Sequence, residues 1–476
     1  MTCSFETLGN ASIQVFENGR PVLITDPWLV GTCYFGSWAL DHPMDARQIA
    51  NATASDYLWI SHGHPDHLHH ESLDLMRPGQ KVLVPDHYHD EIAVSLRDRG
   101  FAVTVLPYRQ WVRLSPEVEV LCIDNVNQDA VLVIRAGDAL LLNINDSPID
   151  GETGFLRRLV RRHPNDKTYL FALCAFDADM FNFVDPEGRS IVGPPEERKL
   201  GVIWSVARKA DELGVRHFCC SSSQHIYVRA DSVWANPYRI TWPDLQRHWS
   251  RPSVRLIEAF VAVDLATGAI TRHHPSQTSD ESQITERCGD DDWNDPLTEA
   301  DWAGVEAFFR RFEMMWEHLD FVAVTVAGQT RRFDKPRRFD KPSRPARTPA
   351  GLNLFVPRHS LMEMVQWGYI DDLLIGNFMK VNLTNTALYP RFTPIVAKFG
   401  GNAKVFTRAQ YRRFLWRYWR RNPIGTFQYL WAIEWNHVYL PWLRDTAEAI
   451  GVKPLLKRVY RTAIGDPPNA APPPPP

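Results

Sequence analysis

The stretch Ser61-His62-Gly63-His64-Pro65-Asp66-His67-Leu68 constrains this chain more than any other. His62, His64, Asp66 and His67 are four potential metal ligands within six residues, and the apolar run Tyr57-Leu58-Trp59-Ile60 leads straight into them. A run of that length suits a buried strand, and Pro65 keeps the ligands out of a helix interior. The expected local structure is a strand that stops and hands its side chains to a loop and the first turn of a helix. Imidazoles with an interposed carboxylate suit zinc, iron or manganese. One cation would take His62 and His64, and a second Asp66 and His67; two-metal sites hold their ions roughly 3.5–4 Å apart. The plain alternative is a histidine-rich surface loop, which the spacing and the strand in front weigh against.

His62-x-His64-x-Asp66-His67 resembles the signature of the metallo-β-lactamase superfamily. The resemblance implies an αββα sandwich with one or two metals at the sheet edges. Asp26, in Thr25-Asp26-Pro27-Trp28 at the end of an apolar strand, matches the aspartate that supports the metal loop from behind. An Asp-Pro turn is the simpler account of the same residues. Asp146 ends the run Leu142-Asn143-Ile144-Asn145 where the superfamily places a metal-bridging carboxylate, and His225 matches its last metal histidine. The segments around Trp28 and from His225 to Tyr238 look like the branch holding ascorbate-6-phosphate lactonase-type hydrolases and CMP-N-acetylneuraminate hydroxylase. Within it Tyr227, Arg229 and Trp234 are the candidate substrate-binding side chains.

Two departures matter. The superfamily carries a further histidine before the bridging aspartate, and Leu121 to Asp129 contains none. Asp124 is the best substitute by position, with Asp129 or an asparagine oxygen as alternatives. An oxygen donor there would favour iron or manganese over zinc; otherwise the first metal is weakly held or absent. The hydroxylase also carries a Rieske centre, which needs paired Cys-x-His motifs. This chain has no such pair, so any oxidation would draw its electrons from elsewhere.

At 476 residues the chain exceeds what one core usually supports. The expected architecture is α/β: an αββα metallo-β-lactamase sandwich over 1–275, then a smaller α+β C-terminal region. Residues 276–350 read as a linker and insertion containing a duplicated Arg-Arg-Phe-Asp-Lys-Pro, expected as a flexible loop. Residues 351–465 read as a basic, aromatic-rich unit and 466–476 as a proline-rich tail. Seven scattered cysteines argue for a reducing compartment. With no readable signal peptide or 18-residue apolar run, cytoplasm is the expectation.

Residues 401–465 hold twelve Lys or Arg against three acids, a net +9 in a chain whose total is −3. Arg412-Arg413-Phe414-Leu415-Trp416-Arg417-Tyr418-Trp419-Arg420-Arg421 interleaves cations and aromatics at helical spacing. It fits a peripheral membrane helix or contact with an anionic partner, and, as the more usual case, a helix packed on its own protein with arginine stems over rings. Nucleic acid is disfavoured, since nothing resembles a known binding module.

Three functions follow. The first is a metal-dependent hydrolase in which two divalent cations (zinc, iron or manganese) activate water on a small anionic, ester, lactone or phosphoester substrate, with Asp66 moving the proton. The second is a diiron oxygenase using a separate electron donor. The third is a non-catalytic lipid- or partner-binding protein.

Overall fold

The computed structural model describes residues 2–176, 182–273, 287–339, 348–435, 439, 442–443 and 446. The expected tail, residues 447–465 of the basic region, and the end of the second hexapeptide copy lie outside the described residues, as do residues 276–286 of the expected linker.

Alternation along the strands builds the sandwich. In Val118–Asp124, Val118, Val120 and Cys122 join one buried cluster, while Leu121 and Ile123 join another. Ala130–Ala136, Ala139–Asn145 and Thr168–Leu173 divide their side chains the same way. Strands apolar on both faces must be covered on both faces. They form a seven-stranded sheet in the order 255–257, 217–221, 168–173, 139–145, 130–136, 118–124, 111–113. Opposite stands an eight-stranded sheet in the order 270–272, 261–264, 3–9, 12–17, 20–25, 57–59, 81–85, 102–106. Phe5, Val15, Leu23 and Trp59 meet Leu132, Ile134, Leu141 and Phe171 between the sheets. Helices 46–54 and 91–98 cover the outer face of the larger sheet, and helices 153–160 and 195–213 that of the smaller. This is an αββα sandwich.

From Arg20–Thr25 to Ala102–Leu106 the larger sheet is parallel, as is the smaller from Ala139–Asn145 to Arg255–Ile257. The C-terminal ends of parallel strands therefore gather at one edge, the place where open α/β sheets bind ligands. Asp26, Ser61, Asp146 and Ser222 follow such strands.

Residues 297–334 pack within the C-terminal unit. Helix Glu299–Arg310 and strands Phe321–Val326 and Gln329–Asp334 belong to the C-terminal unit and share a core with Leu352, Leu361 and Phe414. Trp302, Phe309 and Trp316 are buried under that cover, as large apolar side chains require. The first hexapeptide copy lies partly in strand 329–334 rather than in a loop. The five-stranded sheet also takes in Phe183–Val184 from the sandwich, pairing with Lys380–Thr384.

Helix Arg408–Arg421 lies on the sandwich with Phe414 and Tyr418 buried. Arg417 donates to Asp86, and Arg421 pairs with both Asp86 and Asp124. Gly151 and Gly425 pin the following helix: a Cβ on Gly151 would sit 2.5 Å from the Gly425 nitrogen. Among the described residues no helix is long and apolar enough to cross a membrane.

Burial pushes Asp124 up to about 6, and Arg421 opposes that rise. A carboxyl raised above its unfolded value of 3.8 contributes stability at low pH that is lost as pH rises through about 6. Arg421→Met removes the opposing cation and deepens that loss. The variant should be less stable than the wild type by about 2–4 kcal/mol at pH 8, with the gap narrowing below pH 6, as urea titrations at both pH values would show.

Candidate metal centre

Asp26 organises the centre. Strand Arg20–Thr25 runs beside Tyr57–Trp59, so Asp26 and Ser61 leave the sheet together, and the Asp26 amide donates to the Trp59 carbonyl (2.8 Å). Asp26 Oδ1 accepts the Ser61 amide (2.7 Å) and Oδ2 accepts Asn145 Nδ2 (2.8 Å) from the opposite sheet. Oδ2 also lies 3.3 Å from His67 Nδ1. Asn10, Asp26, Asn145 and Ser222 all have positive φ at this edge. Asx residues tolerate that region; for Ser222 it costs on the order of 1–3 kcal/mol, a kind of strain that clusters at functional sites.

With Nδ1 turned to Asp26, the ring of His67 points Nε2 at the carboxylates of Asp66 and Asp146, each 3.4 Å away. That nitrogen is buried and has no hydrogen-bond partner among the described residues, and Asp146 Oδ1 is in the same state. Burial disfavours the His67 cation, but Asp66 and Asp146 outweigh it and raise the imidazole well above its ordinary range. Such a position is one that a bound cation would satisfy, and the donor set of imidazoles and carboxylates fits zinc, iron or manganese.

His62 Nε2 lies 3.0 Å from His64 Nδ1 and 3.9 Å from Asp146 Oδ2. Donor atoms of His62, His64 and Asp146 lie within 4.8 Å of one another. Burial, then the neighbouring His67 and His64, hold His62 well below the usual imidazole range, so its lone pair is available. Asp66 accepts the Tyr34 hydroxyl at Oδ1 (2.6 Å) and Asn10 Nδ2 at Oδ2 (3.0 Å). Burial pushes its carboxyl up, but His67, Tyr34, His64 and Asn10 together bring it below the ordinary carboxylate range. His225 is buried and stacks on Trp38 at 3.5 Å, with Nδ1 lacking a hydrogen-bond partner. Burial pushes it down to about 3, so it too is a neutral donor.

Asp129 Oδ1 lies 3.8 Å from His62 Nδ1, the nitrogen that also meets Ser61 Oγ (2.9 Å), while His62 Nε2 faces His64 and Asp146. Asp124, favoured by position, instead pairs with Arg421 of the C-terminal helix. His87 binds the Ser61 carbonyl through Nε2 (3.1 Å), supporting the loop from outside.

The three candidate substrate residues lie at the junction with the C-terminal unit. Arg229 is buried, with its guanidinium bound to Asp231, Asp291 and the Phe35 carbonyl and lying over the Phe378 ring. Tyr227 accepts from Asn377, and Trp234 donates to the Asn377 carbonyl with Lys380 over its ring. All three attach the C-terminal unit to the sandwich. That unit brings Asp371 to His64 Nε2 at 3.1 Å, and Asp372 and Lys398 close enough to influence the charges there. The sequence signal for this was slight: two adjacent acids in the apolar stretch Ile370 to Ile375.

No family model matches the chain. Among curated proteins it is 26% identical over 118 residues to the cytidine monophosphate-N-acetylneuraminic acid hydroxylase of Asterias rubens, covering 23% of this chain and 18% of that protein. The Mus musculus hydroxylase is 25% identical over 137 residues, covering 27% and 24%. The matches thus span about a quarter or less of these relatives' length. Among solved structures, a metallo hydrolase from Ignicoccus hospitalis aligns at 14% identity and TM-score 0.36, over 56% of this chain and 98% of that one. An isothiocyanate hydrolase from Delia radicum gut bacteria aligns at 14% and 0.38, over 55% and 98%. A metallo-β-lactamase-fold protein from Bacillus subtilis aligns at 12% and 0.34, over 56% and 100%. At such scores the fold assignment rests on the two sheets and their helices.

Breaking a buried ion pair from one side costs about 3–5 kcal/mol. Arg229→Met, which strands Asp231 and Asp291, should lower the unfolding free energy by that amount in denaturant titrations, whereas a substrate-binding role would raise KM at unchanged stability. Motif, strand ends and paired sheets together give this protein the metallo-β-lactamase fold.

Proposed function

We propose that this protein is a metal-dependent hydrolase acting on an ester, lactone or phosphoester of a small molecule. The observation that supports it most is the buried His67 Nε2, 3.4 Å from two carboxylates and without a hydrogen bond among the described residues. His62, His64 and Asp146 would hold one cation, and Asp66, His67 and His225 the second, with Asp146 between them and Asp129 beside His62. Divalent cations held there would supply an ionised water near neutral pH, which free water with its pKa of about 15.7 cannot.

The remaining work falls to the chain's own side chains. Asp66 is the proton carrier: Tyr34 and Asn10 fix its carboxylate, while lone pairs stay open for a proton taken from water and passed to the leaving group. Asp26 holds the His67 ring so that Nε2, and not Nδ1, faces the reacting side. The C-terminal unit covers the strand ends and limits entry of bulk water, which strengthens every electrostatic contact inside.

A diiron oxygenase on the same fold is the second reading. It is favoured by the names of the curated relatives and by Asp129, an oxygen donor where the superfamily has a histidine. Without a Rieske motif it would need a separate reductase.

Metal content of the chain purified without added metal separates these readings. Zinc or manganese, lost in a His62→Ala/His64→Ala variant, with anaerobic turnover of lactones or phosphoesters is the expected result. Asp66→Asn should then lower kcat by about 10²–10⁴-fold and also weaken retention of the second cation, while the cation at His62, His64 and Asp146 stays bound. Iron together with an oxygen-dependent product would move the assignment to the oxygenase.

A further inference from the structure

Among the described residues His64 is the one motif histidine hydrogen-bonded to a side chain from outside the sandwich. Its Nε2 lies 3.1 Å from Asp371 Oδ2, on helix Ile370–Ile375, while its Nδ1 lies 3.0 Å from His62 Nε2. Asp371 is buried. An imidazole that donates Nε2–H to a carboxylate has its lone pair on Nδ1, directed here into the cluster. His67 is arranged likewise but with the ring atoms exchanged: Nδ1 faces Asp26 and Nε2 faces the cluster. The two flanking histidines thus each have a carboxylate behind them, one from the sandwich and one from the C-terminal unit.

We propose that Asp371 is the positioning residue for His64, so that the metal site is complete only with the C-terminal unit seated on the sandwich. This rests on the metal-site reading above. Other contacts seat the unit independently: Ser37 Oγ donates to the Gly376 carbonyl (2.6 Å), Asn377 Nδ2 to the Tyr227 hydroxyl (3.1 Å), and Trp234 Nε1 to the Asn377 carbonyl (3.1 Å). Replacing Asp371 therefore leaves the unit attached.

The test is zinc and cobalt affinity of the full chain by chelator competition, with melting of the metal-free protein as the control for folding. Asp371→Ala should weaken binding about 10–100-fold. Asp371→Asn, which keeps the shape and an acceptor oxygen but not the charge, should fall between that and the wild type. In a His64→Ala background Asp371→Ala should cost nothing further, because its effect passes through that ring. Wild-type affinity in a folded Asp371→Ala protein, or losses that add in the double variant, would overturn the proposal while leaving the hydrolase reading intact. A wild-type chain that binds neither cation would overturn both.

A separate surface lies on helix Arg408–Arg421. Its inward face holds Phe414, Arg417, Tyr418 and Arg421, and its outward face exposes Arg412, Arg413, Trp416, Trp419 and Arg420 with no acid anywhere on the helix. The next helix, Pro423–Glu434, continues the exposed apolar surface with Ile424, Phe427 and Trp431. Indole rings between arginines match the headgroup zone of an anionic bilayer, the rings at the acyl boundary and the cations on phosphate. A second copy of this face would set arginine against arginine. We infer that this face docks on anionic lipid.

Flotation of the full chain with phosphatidylcholine vesicles, with and without phosphatidylserine, tests it. Binding should require phosphatidylserine and fall with salt. Arg412→Gln/Arg413→Gln should weaken it about 30-fold, two cations at about 1 kcal/mol each, and Trp416→Ala/Trp419→Ala should abolish it. Absence of binding, unchanged binding by the variants, or a vesicle-independent dimer that buries these tryptophans would overturn it.

Discussion

One buried carboxylate carries the geometry of the whole site. Asp26 accepts from Ser61 in the larger sheet and from Asn145 in the smaller, and it backs His67 of the motif. Burial alone would push this carboxyl up; His67 and Ser61 oppose that rise but do not cancel it. The two sheets, packed through their side chains, are therefore also joined by directed bonds at the edge where the ligands gather, where Asn10 likewise accepts from the Ser222 amide and the Ser221 hydroxyl. Packing sets how far apart the sheets lie, whereas the Asp26 bonds set their register along the strands. The positive φ values of Asn10, Asp26, Asn145 and Ser222 are the backbone counterpart of the same constraint. A chain that must turn sharply while placing a side chain has few other conformations to use.

The second constraint is electrostatic. Asp66, Asp129, Asp146, Asp371 and Asp372 approach one edge, and burial pushes Asp129 up and Asp372 up to about 7. Asp66 and Asp371 are pulled the other way, burial being outweighed by His67 in the first case and by His64 in the second. A concentration of acids this dense is stable only where positive charge compensates it. The motif histidines and Lys398 supply part of that compensation, and divalent cations would supply more. Metal binding and folding of this edge are consequently linked, since a ligand that binds only the folded state stabilises it.

How far the sequence spoke depended on range. The sandwich was legible through the resemblance carried by the His62 to His67 motif, since core strands buried on both faces, such as Val118 to Asp124, show no alternation to read. His62, His64, Asp66 and His67 stand within one loop, so their proximity was a matter of local chain geometry. Asp124 and Asp129 could not be separated on the same grounds. They flank a turn, and which of them faces His62 is decided by Arg421, almost three hundred residues away, taking the other. Tyr227, Arg229 and Trp234 misled for a related reason: polar and aromatic side chains near a metal loop suit a substrate or a domain contact equally well. Arg229 answers to Asp291 and Phe378, and neither partner is marked in the local sequence.

The same argument explains why the C-terminal unit reads as separate in sequence and yet is structurally continuous with the site. Its core, around Trp302, Phe309 and Leu352, would be buried without the sandwich, so composition marks a second unit. Its attachment uses a different kind of contact: buried Arg229, Ser37 against Gly376, Tyr418 between Tyr88 and Gln128, and Asp371 against His64. These are directional bonds, each useful only in one relative orientation. A hydrophobic interface would hold the unit near the site and tolerate sliding; a polar one buried this deeply holds it in a single pose, because any shift leaves buried donors or charges unpartnered at about 1–3 kcal/mol each. Precision at His64 is therefore bought by bonds spread across the interface, and a substitution far from the metal edge reaches the site through that pose.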